Sequence, residues 1–176
     1  MRNRALLAVI ASGMLSVSYA SPASADSGIT SATITVQGGA LSISVPPDAG
    51  SLGTRADTVS GGTISGPLGQ VQVNDARSAA AGSGWVASVI ASAFTPPAGP
   101  AIPASAVSYR AGVITKVGTA TYTADDPANL TGVAPAVTAT GITGDNSATW
   151  DPTIAVAVPG GMAAGIYSAT ITHSVV

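Results

Sequence analysis

The chain contains no cysteine, no glutamate and a single histidine, so its acids are eight aspartates and nothing else. Without cysteine there are no disulfides and no thiolate zinc site, and stability must come from a core and backbone ladders alone. Charge is scarce as well. Charged residues make up 8% of the chain, against roughly 25% in an ordinary soluble domain, and Lys116 is the one lysine. Nucleic-acid binding rests on clustered lysine and arginine neutralising phosphates, and no basic cluster exists, so that class of partner is excluded. Helix formers are also thin. Beyond residue 25 there are four leucines against 27 valines and isoleucines, the composition of strands and not of helices.

What is present begins with an export signal. Arg2 and Arg4 form a positive n-region, residues 5–17 an apolar h-region, and Ala23-Ser24-Ala25 a small-x-small cleavage site. Residues 1–25 therefore read as a signal peptide and the mature chain as starting at Asp26, one domain over residues 26–176, secreted to the cell wall or the extracellular space. No later apolar run reaches the eighteen or so residues of a membrane helix, so no membrane association is expected once the signal is removed.

The 12 prolines and 21 glycines interrupt every helical period, while period-two alternation recurs. It marks Ile34 and Val36; Leu41, Ile43 and Val45; Val71 and Val73; Trp85, Ala87 and Val89; Val107 and Tyr109; Ala120, Tyr122 and Ala124; the surroundings of Val137; Ile154, Val156 and Val158; and a closing run of Tyr167, Ala169, Ile171, His173 and Val175. Asp125-Asp126-Pro127 and Pro159-Gly160-Gly161 read as turns, and residues 48–62 and 94–106 as long surface loops. Eight to ten short strands predict an all-β domain, a β-sandwich or barrel-like fold. There is no fixed repeat, which argues against a solenoid.

Chemistry is sparse. Nucleophilic hydrolysis needs a base beside a serine or cysteine, but His173 sits inside the last strand and no G-x-S-x-G occurs. Asp125, Asp126, Asp145 and Asp151 stand in turn contexts, where aspartate bonds its own backbone, and none belongs to a calcium loop. No enzyme activity, cofactor or metal is expected. Paired threonines at 33/35, 121/123, 138/140 and 170/172 suit the polar side of strands; as a flat array they would also suit ice or sugar hydroxyls.

Two stretches resemble the WxL domain of Gram-positive cell-surface proteins. The first runs from Gly39-Ala40-Leu41-Ser42-Ile43-Ser44-Val45-Pro46 through Leu68-Gly69-Gln70-Val71-Gln72-Val73-Asn74-Asp75-Ala76-Arg77 to Gly84-Trp85-Val86-Ala87-Ser88-Val89. The second is Gly165-Ile166-Tyr167-Ser168-Ala169-Thr170-Ile171-Thr172-His173-Ser174-Val175. At the first W-x-L position the chain keeps Trp85 and has Ala87 for leucine; at the second it has His173 for tryptophan and Val175 for leucine. The resemblance implies a secreted, non-enzymatic surface module of a Gram-positive, actinobacterial type, bound non-covalently to peptidoglycan or to another cell-surface protein. Asp75 and Arg77, on one face two residues apart, either pair with each other or contact the wall; Trp85 either stacks on a sugar or anchors the core; His173 is a further contact candidate. A different reading is a structural subunit that self-assembles through weakly charged sheet edges.

Overall fold

The alternating valines, isoleucines and threonines do form strands. The computed structural model describes residues 31–176; the signal peptide at 1–25 and the start at Asp26 lie outside the described residues. Eight strands occur among those residues: β1 (Leu41–Ser44), β2 (Gly62–Pro67), β3 (Val71–Ala91), β4 (Val107–Arg110), β5 (Ile114–Ala124), β6 (Ala134–Trp150), β7 (Thr153–Val158) and β8 (Ile171–Val175). One 3-10 turn, Ala104–Ala106, precedes β4.

The strands build two antiparallel sheets, a sandwich. In the five-stranded sheet the order is β1-β3-β6-β5, with β8 also on β3. β1 pairs with residues 72–75 of β3 and β8 with residues 87–91. They therefore share one edge of β3 end to end, while β6 occupies the other edge. The second sheet runs β2-β7-β4. Between the sheets lie Val71, Val73, Ala87, Val89, Val137, Ala148, Ile154 and Val156, all buried. These β-branched and small side chains interdigitate across a thin core, each buried Val or Ile contributing about 1.5–3 kcal/mol.

β3 and β6 are long because they tolerate bulges. Their register shifts between Asp75 and Ala79, between Ala79 and Ser83 and again before Trp85. Gly82, Gly141 and Gly144 take positive φ there, and Ser78 does so at φ 53, a conformation costly for a residue with a Cβ. The Ser78 N–H donates to Asp145 Oδ1 at 2.9 Å, which holds the bulge in place.

Several expectations are corrected. Residues 31–40 form no strand, and Ile34 and Val36 are 91% and 83% exposed. Asp145 is not in a turn; it lies within β6, where the neighbouring glycines make a bulge instead of a reversal. β2 begins at Gly62, inside the segment read as loop. β8 starts only at Ile171, with Tyr167 and Ala169 half-buried on the approach. The compact unit spans Val36–Val176.

Candidate functional site

Asp75 follows Val71 and Val73 on the inward side of β3, and its side chain is fully buried. A lone carboxylate there would be costly, so it must be paired. Arg77 pairs it in a fork: Nε donates to Oδ1 at 2.8 Å and Nη2 to Oδ2 at 2.9 Å, and the Arg77 backbone N–H adds a third bond to Oδ1 at 3.1 Å. Nη2 also donates to the Gly84 carbonyl at 3.2 Å, tying together the two ends of the bulge. Asn146, directly across on β6, donates from Nδ2 to Asp75 Oδ2 at 3.3 Å. Its Oδ1 accepts from Trp85 Nε1 at 3.1 Å and from the Tyr122 hydroxyl at 3.0 Å. The Trp85 and Tyr122 rings pack tilted, 5.6 Å between centroids.

The Arg77 hydrogen bonds hold the Asp75 carboxyl below its ordinary range despite burial, and Asp75 in turn raises the Arg77 guanidinium. Burial pushes the Tyr122 hydroxyl up. The structure thus brings Asp75, Arg77 and Trp85 together, and it turns two of them inward. Asp75 and Trp85 are interior groups; Arg77, 38% exposed at its side chain, is the member that reaches solvent.

His173 belongs to a second cluster. The Trp150 indole N–H donates to the Tyr109 hydroxyl at 2.8 Å, and that hydroxyl lies 3.3 Å from His173 Nε2. Because the hydroxyl oxygen already accepts from Trp150, the assignment that leaves no group unpaired has the Tyr109 O–H donating to an unprotonated His173 Nε2, with the imidazole neutral. Burial pushes Tyr109 up to about 12 and His173 down to about 4. These bonds join β6 and β8 of one sheet to β4 of the other. Among the described residues, no three His, Cys, Asp or Glu side chains gather as metal ligands.

The outward face of the five-stranded sheet is different in kind. Residues directly opposite across antiparallel strands share a face. One outward row reads Ser44, Gln72, Thr149, Thr115 and the next Ser42, Asn74, Ser147, Val117. Further along, Thr143 faces Thr119, Thr140 faces Thr121, and Val86, Thr138 and Thr123 align. No residue in these rows is charged; two aspartates border them, Asp145, exposed on β6, and Asp125, whose Oδ2 accepts from Thr138 Oγ1 at 2.7 Å. The threonine pairs are visible in the sequence but their alignment is not, because pairing partners up to 77 positions apart, such as Gln72 and Thr149, are set only by strand register.

A cavity of about 910 Å³ lies on the other side of that sheet, between the two layers, roofed by residues 45–58 and 162–170. Compared with known proteins, the chain matches no family model, no curated protein and no solved structure.

Proposed function

We propose that this domain is a secreted, non-enzymatic cell-surface module that attaches non-covalently to wall peptidoglycan through the outward face of its five-stranded sheet. The observation that carries this reading is the array of hydroxyl and amide side chains across four adjoining strands. Such groups exchange bound water for sugar hydroxyls. Each exchange is worth only about 0.5–1.5 kcal/mol net, so affinity needs several contacts in parallel along a polymeric ligand. The WxL-like stretches support the same surface role, with Trp85 and His173 serving the fold from inside and Arg77 at the exposed margin. The test is retention of the purified protein on isolated sacculi. A triple Thr115→Ala, Thr121→Ala, Thr149→Ala variant should lose at least tenfold in retention with an unchanged melting temperature; retention equal to the parent sinks the assignment.

One observation favours a second reading, assembly with further copies. Among the described residues nothing pairs with the outer edge of β5, an 11-residue strand bearing exposed Val117 and a single charge, Lys116, which is weak protection for an edge. Size-exclusion chromatography across a concentration series separates this from glycan attachment.

A further inference from the structure

We infer that the cavity between the sheets is a binding site for a single acyl chain. The void of about 910 Å³ falls at the upper end of the range for small-molecule sites, roughly 300–1,000 Å³. Close-packed interiors do not leave such space by default. Its walls come from both layers: Ile64 and Val156 from the smaller sheet, Val71 and Ile171 from the larger, with Phe94 and Met162 from the connections. Ile64, Met162 and Ile171 are only half-buried, although they face inward, because the space beside them is unfilled.

The roof is built to be thin. Residues 52–55 cross the inward side of β2, and they do so where β2 carries glycine. A Cβ on Gly66 would stand 2.8 Å from the Leu52 Cα, and one on Gly62 would collide with the Arg55 guanidinium. Across residues 46–60 of this strap, Leu52 and Val59 are the only large apolar side chains, and Val59 is 99% exposed. Apolar walls are therefore closed by a small, polar strap whose rim offers Asp48, Arg55 and Asp57 to a head group.

The polar inventory selects the ligand class. Among the described residues every buried side-chain nitrogen or oxygen already has a hydrogen-bond partner, and His173 Nε2, on the cavity wall, is engaged by Tyr109. A peptide laid against the apolar walls of Ile64, Val71, Val156 and Ile171 would leave the amides that face those side chains unmet, at about 1–3 kcal/mol for each unpaired group, and could pair only at the strap and the open strand edges. A hydrocarbon chain carries no such groups and gains from every methylene buried, about 0.8 kcal/mol each. The chain can belong to a free fatty acid or to a lipid; both present the same tail.

The experiment titrates the full protein with cis-parinaric acid and follows probe fluorescence, with palmitate, phosphatidylglycerol vesicles and an apolar, strand-forming peptide as competitors. Saturable binding of one probe per chain, displaced by palmitate, is expected. Displacement by palmitate alone assigns a free fatty acid, and displacement by the vesicles as well assigns a lipid source. Ala169→Phe, which fills the cavity from the second stretch of its roof, and Leu52→Trp, which fills it from the exposed strap and does not touch strand pairing, should each weaken binding at least tenfold. Thr121→Ala, on the outward face, should not change it. Absence of saturable binding, equal binding by the Leu52→Trp variant, or displacement by the peptide and not by palmitate would overturn the inference.

Discussion

Trp150 and Tyr109 lie on different sheets, and the indole N–H of one donates to the hydroxyl of the other at 2.8 Å. This bond runs directly from one sheet to the other, so it fixes how the sheets sit against each other. Apolar contacts alone would tolerate sliding.

Tyr109→Phe should therefore destabilise the domain by about 1–3 kcal/mol, since it strands the Trp150 N–H and His173 Nε2 without partners. Urea denaturation followed by tryptophan fluorescence measures it. A midpoint equal to that of the parent would mean the intersheet bond carries no energy.

Acid should weaken the fold in two separate windows. Burial holds folded His173 at about 4, below its ordinary 6.5. At pH above 6.5 the residue is neutral in both states and its contribution is complete. As pH falls from 6.5 towards 4 the unfolded chain takes up a proton that the folded chain refuses, so stability declines by about 1–2 kcal/mol after allowance for partial exposure. Below 4 His173 adds no further loss. Asp75, lowered from 3.8 by its bonds to Arg77, acts in the same sense, the unfolded chain again taking the proton first: its contribution is present above 3.8 and is lost as pH falls through the lowered value. His173→Phe should abolish the upper window and leave the lower one, which pH-dependent urea midpoints will resolve.

Arg77→Ala should cost about 2–3 kcal/mol near neutral pH, below the roughly 3–5 kcal/mol of a fully buried pair because water reaches the guanidinium. The loss should shrink as pH falls through the carboxylate range, since burial then raises the Asp75 pKa and protonation relieves the unpaired charge. A cost independent of pH would place the effect in the bulge and not in the ion pair.

Trp85→Ala should cost about 3–5 kcal/mol and leave sacculus retention per folded molecule unchanged. Loss of retention at an unaltered melting temperature would instead make Trp85 a ligand contact, against its 2% exposure.

The strands easiest to read were those with uninterrupted alternation. Leu41 and Ile43, Ile154 to Val158, and Ile171 to Val175 all lie where period two places them. β2 was hidden because Gly62, Gly66 and Pro67 remove the side chains that signal a strand, and the reason for those glycines, the strap crossing them, is a tertiary fact. The unity of β3 was hidden by residues 78–84, where a bulged stretch of serine, alanine and glycine resembles a loop. The Asp75 and Arg77 pair was legible from spacing. Their completion by Asn146 was not, since a residue 71 positions away is placed by register alone.

β3 is the spine on which β1, β6 and β8 are laid, and its register with β6 joins Val71 to Trp150 and Val89 to Ala134. The spine cannot be covered until chain from far downstream has arrived, so nothing local rewards its early ordering and folding must be slow, on the millisecond-to-second scale of non-local β topologies. The last strand to be made, β8, is also the one that completes the edge β1 begins, so this sheet closes only when residues 171–175 have emerged.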